Sequence, residues 1–414
     1  LSSDREFCRR AELVLKGAFI EYERDKLSEQ TAKRLYGEIL NGSVSRLETY
    51  EKCPYRHFLD YGLRLKERES FDIEAIDIGK LYHAALDETF REAGNAGKNI
   101  RDMSSAELDL ICDRASERVI SEYGDSIMSA TARNKFIAER VRRITRKTVW
   151  VLREQLKKGD FETLGTEIAF KYRDDNMYLS GRIDRVDYCR DPEHDKTYVK
   201  VIDYKTGSMK FDINRAYNGL QLQLTTYMDA ALNETGKYIG TMEGVAPAGM
   251  FYYNIYEPAL KIGDIKKAVH KEEGYTLPEE LMLKELKLNG ALLSDAVSIE
   301  HLDKGADAVS GGSFKDMLKG SGVITQQSVQ LSEAGFERLI DMTKVKMHDD
   351  AEKIISGDIS VGPYKAGNET ACDYCGYAGI CGFDKNIKGY GYRKIEKLSE
   401  EELDSFISCE EKNK

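Results

Sequence analysis

The stretch VKVIDYKTG, residues 199–207, constrains the fold more than any other feature of this sequence. It begins as an apolar, β-branched run and ends with a carboxylate and an ammonium group, Asp203 and Lys205. Because side chains alternate between the two faces of a β-strand, these two charged groups share one face. A second carboxylate, Asp184, lies between apolar residues in an earlier strand-like segment, SGRIDRVDY. The sequence therefore predicts two neighbouring strands that each carry an aspartate in an apolar setting.

Two explanations account for these aspartates. A buried, unpaired charge costs several kcal/mol, so both carboxylates need partners. A divalent cation such as Mg²⁺ or Mn²⁺, bound by Asp184 and Asp203, would supply one, because these ions prefer oxygen ligands. Lys205 would then stabilise charge on a phosphate substrate. Alternatively, Asp203 pairs with Lys205 while Asp184 pairs with Arg182 or Arg185, and these residues by themselves favour neither explanation.

Four further polar residues are candidates for the same site. His83 shares the face of a predicted helix with apolar residues, a setting in which a buried structural histidine is more frequent than a metal ligand. Gln223 and Tyr227 are one helical turn apart and could face a substrate strand, although an ordinary amphipathic helix has the same spacing. Glu167 offers another carboxylate, for which a surface charge is the favoured interpretation.

Three cysteines lie close together near the end of the chain, with the spacing Cys372-x2-Cys375-x5-Cys381. Two thiolates separated by two residues can bind one metal centre, so this spacing predicts a metal or cluster site. Cys53 is the expected fourth ligand, because the Cys-Pro step that it begins opens a rigid turn before a helix. The residues leave zinc and an iron–sulfur cluster equally open. The remaining cysteines are expected to be ordinary thiols.

Composition narrows the class of protein. The chain has 414 residues, 41% of them hydrophobic, and a formal net charge of −10. These values predict a soluble, cytoplasmic protein with a packed core, and neither a transmembrane run nor an export signal is evident. Without an export signal, the cysteines are expected to be thiols or metal ligands rather than disulfides. The first residue is leucine rather than methionine, which suggests a fragment of a longer protein.

An acidic total argues mildly against non-specific binding to nucleic acid, but one helical segment is basic. Residues 133–158 contain ten lysines and arginines against two glutamates. Arg142, Arg143 and Arg146 in this segment are candidates for binding a single DNA strand, since phosphate contacts dominate such affinity. A solvated surface helix explains the same segment equally well.

The pattern along the chain predicts three parts. Residues 1–42 are interpreted as a helical remnant of an upstream region, residues 43–390 as the main domain, and residues 391–414 as an acidic tail. Within the main domain, helical patterns predominate at first, and aromatic and β-branched strand-like segments begin near residue 161. A Gly-rich, polar stretch at about 258–330 is expected to be an insertion.

Four segments, GKLYHAALD, GRIDRVD, VIDYKTG and QLTTY, occur in this order, and one cysteine of the predicted site precedes them while three follow. In this order and with this split set of cysteines, the chain resembles the RecB-type PD-(D/E)XK nucleases that carry an iron–sulfur cluster. It is similar, from about Ser43 to Asp384, to the nuclease domains of AddAB-type bacterial helicase–nuclease complexes. The resemblance implies a restriction-endonuclease-like α/β fold with a central mixed sheet flanked by helices.

The resemblance also implies roles for individual residues. His83, Asp184 and Asp203, with the carbonyl of Tyr204, would bind Mg²⁺ or Mn²⁺, and Lys205 would be the catalytic lysine. The glutamine and tyrosine of QLTTY, which are Gln223 and Tyr227, would contact the DNA strand.

For the cysteines, the resemblance implies a structural [4Fe–4S] cluster held by Cys53, Cys372, Cys375 and Cys381. The implied activity is exonucleolytic degradation of the 5′-terminated DNA strand at double-strand ends, in recombinational repair. The implied partners are DNA and an AddA-type helicase–nuclease protein in a heterodimer, with no membrane. A DNA-end clamp with weak or no catalysis is the alternative. The helicase-like region that precedes such nuclease domains has no counterpart in this sequence.

Overall fold

A seven-stranded mixed sheet lies at the centre of the fold. The computed structural model describes residues 2–19, 21–23, 25–66, 73–258, 278–306, 318 and 320–407. The strands of this sheet are β1 (Leu40–Gly42), β2 (Glu162–Arg173), β3 (Met177–Asp191), β4 (Lys196–Lys205), β5 (Val245–Asn254), β6 (Asn289–Leu293) and β7 (Val329–Leu331).

Strand order follows the sequence from β3 to β7, while β2 and β1 both pair with β3. Strand β3 is antiparallel to β2 and β4 and parallel to β1. Strand β5 is parallel to β4 and antiparallel to β6, which in turn is parallel to β7. Helices flank this mixed sheet, and the predicted α/β architecture is confirmed.

The helices are α1 (Ser2–Ala18), α2 (Glu29–Tyr36), α3 (Val44–Lys52), α4 (Pro54–His57), α5 (Ala75–Asn95), α6 (Ser105–Ala130), α7 (Ala132–Lys158), α8 (Ile213–Tyr217), α9 (Gln223–Ile239), α10 (Pro278–Glu285), α11 (Ala296–Leu302), α12 (Glu333–Ile355), α13 (Ala378–Cys381) and α14 (Glu400–Ile407). Short helical turns of other types occur at Phe58–Gly62 (π) and Ile100–Asp102 (3₁₀). A small second sheet consists of β8 (Tyr364–Ala366), β9 (Glu369–Thr370) and β10 (Arg393–Lys394), with β8 in the middle.

Strand β4 is a central strand, and its residues from Thr197 to Tyr204 are all buried. Burial on both faces explains why its apolar run does not alternate with polar residues. In the register, Asp203 lies opposite Tyr252 of β5, and Ile202 lies opposite Arg185 of β3. The charged end of β4 is therefore held between two neighbouring strands.

A buried ionic group explains the lysine within the apolar run of β4. Asp187 of β3 accepts hydrogen bonds from Arg185 Nε at 2.6 Å and Nη2 at 2.9 Å. Lys200 Nζ lies 3.0 Å from the same carboxylate. Arg185 also packs over the ring of Phe90, 4.7 Å from its centroid. Because buried charges are costly unless they are paired, these contacts commit Arg185 to Asp187 and leave Asp184 to other partners.

The structure describes parts of each segment that the sequence analysis set apart from the main domain: residues 1–42, 258–330 and 391–414. Residues 1–42 contain α1, α2 and β1, and β1 joins the central sheet through β3. Within the predicted insertion at about 258–330, residues 259–277, 307–317 and 319 lie outside the described residues, and β6 adds a strand to the sheet. The predicted tail contains β10 and α14, and residues 408–414 lie outside the described residues. No helix of the described ranges has the length and apolar character needed to cross a bilayer.

Helix α12 carries a buried carboxylate that gives the fold a predictable pH dependence. Asp350 is fully buried beside Glu51, and Lys346 Nζ lies 2.5 Å from Glu51 and 3.3 Å from Asp350. Burial and the charge of Glu51 raise the pKa of Asp350 to about 8. An aspartate in an unfolded chain has a pKa of about 3.9. Between this pH and the pKa of about 8 in the folded state, the folded chain binds one more proton at Asp350 than the unfolded chain does. The free energy of unfolding therefore falls as pH rises through this window.

Replacing Asp350 with asparagine removes this titration. We expect the free energy of unfolding of Asp350→Asn, measured by urea denaturation from pH 5 to 9, to decline less with rising pH than that of the parent chain. The sign follows from the raised pKa, because above it the parent must bury a charge that asparagine lacks. Parallel pH profiles of the two proteins would contradict this assignment.

Candidate active site and cysteine site

Three elements bring the predicted catalytic side chains together. Helix α5 supplies His83, strand β3 supplies Asp184, and the end of β4 supplies Asp203 and Lys205. His83 Nδ1 lies 3.3 Å from Asp184 Oδ1, and the other oxygen of Asp184 accepts the backbone N–H of Tyr204 at 2.6 Å. Asp184 thus contacts His83 rather than the neighbouring arginines of its own strand.

Lys205 is fixed by contacts on three sides. Its Nζ lies 2.5 Å from Asp203 Oδ2 and donates a hydrogen bond of 2.8 Å to Gln223 Oε1. The same atom lies 5.6 Å from the centroid of the Tyr252 ring. Burial by itself would lower the pKa of Lys205, but the charge and hydrogen bond of Asp203 together with the charges of Asp184 and Glu48 outweigh burial and raise the pKa. The ammonium group is therefore a fixed positive charge at neutral pH.

Asp203 is a buried carboxylate with unused capacity to bind a cation. Burial, with the charge of Asp184, raises the pKa of Asp203 to about 7 although Lys205 acts in the opposite direction. Its Oδ2 atom is buried and has Lys205 Nζ as its ion-pair partner. The charge of Asp184 thus acts on Asp203, and two carboxylates this near one another fit a divalent cation such as Mg²⁺ or Mn²⁺.

Glu167 of β2 adds a third acidic group to this place. One ligand atom from each of His83, Glu167 and Asp184 lies within 4.8 Å of the others. Glu167 has a positive φ of 48°, next to a register irregularity in the pairing of β2 with β3. A positive φ is uncommon for a residue other than glycine and often marks a functional constraint. The sequence favoured a surface charge here, whereas the pairs that flank Glu167 place it across from Asp184 of β3.

Burial and the charge of Asp184 raise the pKa of Glu167. For His83, burial alone would lower the pKa, but its contact with Asp184 outweighs burial and raises it. Each group therefore responds to Asp184, as expected for side chains that converge on one point. One nitrogen and several carboxylate oxygens form a donor set that suits Mn²⁺ or Mg²⁺.

Gln223 and Tyr227 lie beside this cluster at the start of α9. Gln223 is the first residue of the helix and accepts the hydrogen bond from Lys205. Tyr227, one turn later, is 8% exposed, and its ring packs edge-on against Phe170 with centroids 5.5 Å apart. Burial and the nearby charge of Asp203 raise the pKa of Tyr227. Both predicted residues are thus near the charged centre, and only Gln223 contacts the lysine directly.

Glu48 of α3 is a site residue that the sequence did not reveal. Its Oε1 atom accepts the backbone N–H groups of Leu222 at 2.8 Å and of Gln223 at 3.2 Å. The N-terminus of a helix has free N–H groups and a partial positive charge, so a carboxylate is a favourable partner there. Glu48 therefore fixes the start of α9 and, through it, the amide that holds Lys205.

The four cysteines of the predicted ligand set also converge. Burial, followed by the nearby thiols of Cys53, Cys375 and Cys381, raises the pKa of Cys372 to about 11. Backbone N–H groups of Arg56, Tyr55 and Gly362 hydrogen bond to Cys53, and the N–H of Phe383 donates to Cys381 Sγ at 3.4 Å. Such donors stabilise sulfur ligands that carry negative charge.

The described cysteines outside this set lie elsewhere in the fold. Cys112 and Cys189 are buried elsewhere, Cys8 is exposed on α1, and Cys409 lies outside the described residues.

The basic helix α7 uses much of its charge in ion pairs. Arg142 Nη1 lies 2.8 Å from Glu139, Arg143 Nη2 lies 2.9 Å from Glu257, and Arg146 Nε lies 2.5 Å from Asp113. Within the described ranges, the hydrogen bonds of Arg142, Arg143 and Arg146 all go to such carboxylates rather than to the side chains around Asp184. DNA would therefore have to compete with these carboxylates for the arginines.

Comparisons with known proteins agree with this geometry. Residues 41–382 match a family model described as the PD-(D/E)XK nuclease superfamily. Over 425 residues the chain is 33% identical to a subunit of the ATP-dependent helicase/deoxyribonuclease of Alkaliphilus oremlandii, an alignment that covers 100% of this chain and 36% of that protein. The protein of the same name from Lachnoclostridium phytofermentans is 34% identical over 407 residues, with 96% of this chain and 34% of that protein covered.

The chain thus spans about a third of the length of these curated relatives. The matched range of the family model contains all the side chains that converge around Asp184, together with all four clustered cysteines. By this match, the chain belongs to the PD-(D/E)XK nuclease superfamily.

Proposed function

We propose that this chain is a metal-dependent deoxyribonuclease domain that hydrolyses phosphodiester bonds of DNA. The observation that carries the proposal is the convergence of His83, Asp184, Asp203 and Lys205 at one point of the sheet. Three groups with oxygen or nitrogen donors and one fixed ammonium charge match the needs of phosphoryl transfer, which depends mainly on positioning and charge stabilisation.

The residues of the site have separate tasks. His83, Asp184 and Asp203, with Glu167, would hold Mg²⁺ or Mn²⁺, and the Tyr204 carbonyl is a further candidate ligand. The bound cation would polarise the phosphate and lower the pKa of the attacking water.

Lys205 directs its positive charge towards the oxygens on which negative charge develops. Gln223 orients Lys205 Nζ by accepting its hydrogen bond, and Glu48 holds the backbone of Gln223. Tyr227, one turn further along α9, is proposed to contact the DNA strand beside Gln223. Arg142, Arg143 and Arg146 are proposed to contact more distant phosphates once their carboxylate partners are displaced.

Cys53, Cys372, Cys375 and Cys381 are proposed to hold a structural [4Fe–4S] cluster. The support is their convergence and the N–H donors around the sulfur atoms. Because Cys53 precedes the central strands and the other three follow them, such a cluster would tie together distant parts of the chain.

The names of the relatives suggest the larger setting. Each relative is named as one subunit of an ATP-dependent helicase/deoxyribonuclease, which implies at least one further subunit in those proteins. We therefore propose that this domain works in a heterodimer with an AddA-type helicase–nuclease protein. Its proposed role is to degrade the 5′-terminated strand at DNA double-strand ends during recombinational repair.

Strand preference is tested with a DNA duplex labelled on either strand. We expect Mg²⁺-dependent shortening of the 5′-terminated strand, no cleavage in EDTA, and recovery of activity with Mn²⁺. Binding to DNA ends without cleavage in either metal would instead support a DNA-end clamp.

Glu167 offers a test of the ligand set that is independent of the central aspartates. We expect Glu167→Gln to raise the Mg²⁺ concentration for half-maximal cleavage by about 10- to 100-fold, since such substitutions near metal sites weaken metal binding by this amount. The matched control is Glu162→Gln, which removes an exposed carboxylate from the same strand, β2. Identical Mg²⁺ titrations for Glu167→Gln and the control would remove Glu167 from the metal site.

A further inference from the structure

A cavity of about 240 Å³ lies between the charged centre and the cysteine site. Its lining includes Gln223 and Tyr252, which both contact Lys205. It also includes Ala371 and Tyr374, which belong to the segment of the clustered cysteines. The cavity therefore connects the proposed point of cleavage with the proposed cluster.

Five charged side chains line this cavity: Lys52, Arg56, Arg215, Glu48 and Glu369. Both glutamates are already engaged. Glu48 accepts two backbone N–H groups of α9, while Glu369 is paired with Arg215 and accepts the hydroxyl hydrogen of Tyr364 at 2.5 Å. The carboxylates are thus neutralised by partners within the protein, and they repel an incoming anion less than free carboxylates would.

Two of the cationic side chains, those of Lys52 and Arg56, have few partners within the protein. The ammonium group of Lys52, in the last turn of α3, forms no ion pair or hydrogen bond with any side chain in the described part of the chain, and its charge acts at longer range on Glu48. Arg56 Nε lies 3.5 Å from Asp60 Oδ2 and forms this ion pair without a hydrogen bond. An anion that entered the cavity would find an ammonium and a guanidinium group ready to bind it.

Tyr374 is the most exposed aromatic residue of the cavity lining. It lies between Cys372 and Cys375 in sequence and is 93% exposed, the largest exposed fraction among the large hydrophobic residues that the structure describes. An aromatic ring open to solvent beside cationic side chains is a suitable stacking surface. Proteins that bind single-stranded nucleic acid combine a cationic groove with aromatic side chains on which bases stack.

We propose that this cavity binds the nucleotide next to the scissile phosphate of a single DNA strand. Its base stacks on Tyr374, and its phosphate contacts Lys52 and Arg56. This inference rests on the proposed nuclease function, and it adds a substrate subsite to which the cysteine segment contributes directly. The proposed cluster then has a second effect besides holding the chain together, because it fixes the loop that carries the stacking ring.

The subsite is tested by binding and crosslinking in the Asp203→Ala background, in which the strand stays intact. With a fluorescent single-stranded oligonucleotide, we expect Tyr374→Ala to weaken binding by about 5- to 150-fold, the equivalent of one lost base stack. Tyr374→Phe keeps the ring and should bind like the background protein. The matched control is Tyr238→Ala, which removes another exposed tyrosine, one at the far end of α9 from Gln223.

Two further readouts separate a binding role from a structural one. Lys52→Ala should lower the slope of log affinity against log salt by about 0.7, the loss of one phosphate contact. Oligonucleotides with a single 5-iodouracil should crosslink to Tyr374 at one position, adjacent to the bond that the parent chain cuts. Iron content and melting temperature of each variant show whether the cysteine site is intact.

Equal binding by Tyr374→Ala and Tyr238→Ala, at full iron content, would overturn the subsite. So would crosslinks that consistently avoid Tyr374. Either result leaves the nuclease proposal standing if the parent chain still cuts with Mg²⁺. A parent chain that never cuts, but crosslinks through Tyr374, would retain the subsite and refute the nuclease activity.

Discussion

Replacing Asp203 with alanine is expected to reduce Mg²⁺-dependent cleavage of single-stranded DNA by more than about 10³-fold, which amounts to abolition in an ordinary assay. The substitution removes a carboxylate on which the charge of Asp184 acts and also removes the ion-pair partner of Lys205. Both the cation and the ammonium group would lose their positions. Initial rates with end-labelled oligonucleotides at saturating Mg²⁺ measure the effect.

The fold should survive this change. Asp203 lies at the end of β4 rather than in its middle, and its burial raises its pKa, so the charge there contributes to function at the expense of stability. A single cooperative thermal transition is therefore expected for the metal-free variant, with some loss of stability because Lys205 keeps its charge without its ion-pair partner. Asp174→Asn, which removes a carboxylate paired with His348, is the control and should cut at the rate of the parent. Cleavage by Asp203→Ala within tenfold of the parent rate would refute the assignment of the site.

The second large effect is expected for Cys53→Ser. Cys53 is 9% exposed and lies at the junction of α3 and α4, whereas the other three cysteines of the site follow the central sheet. A centre that joins these segments closes a very long loop, for which crosslinks contribute on the order of 5 kcal/mol. We expect loss of iron and of visible absorbance, and a decrease in the free energy of unfolding of this order.

A buried cysteine outside the site provides the control. Cys189 of β3 is 4% exposed, and its replacement by alanine should cost little more than the loss of one small buried side chain. The comparison uses anaerobically purified proteins, with iron and zinc measured by mass spectrometry. Stoichiometric zinc without iron in the parent would contradict the cluster, and equal unfolding energies for Cys53→Ser and Cys189→Ala would contradict the role of Cys53.

The chemistry of β4 could be predicted from the sequence because it depends on local rules. The period-two pattern put Asp203 and Lys205 on one face, and the helical pattern around His83 placed it on α5. What local rules could not supply was the choice of partner for Asp184. Two arginines next to it in sequence were available, yet the structure pairs Arg185 with Asp187 and brings His83 to Asp184.

Long-range contacts account for the rest of what the sequence did not reveal. Glu48 reaches the start of α9 across 174 residues of sequence, so nothing in its own neighbourhood distinguishes it from a surface glutamate. For the basic helix α7, the sequence did not reveal carboxylates that pair with its arginines. Its arginines look free in sequence, but Glu257 and Asp113 reach them from other elements and neutralise part of their charge. In both cases the decisive partner is set by tertiary packing.

Strand pairing decides the place of Glu167 in the same way. The pairs on either side of it, Thr166 with Arg185 and Ile168 with Ile183, place Glu167 across from Asp184 of β3. The register between β2 and β3 is set by tertiary structure, so the sequence of β2 by itself did not indicate this neighbour.

The most direct test of the account is the position of a bound metal ion. Anomalous diffraction from crystals of this chain soaked in Mn²⁺ should show a peak bounded by His83, Asp184 and Asp203, with Glu167 at its edge. The same peak should vanish in crystals of Asp203→Ala. An ordered Mn²⁺ bound elsewhere, or an undiminished peak in the variant, would contradict the claim that this end of β3 and β4 is a metal-dependent cleavage site.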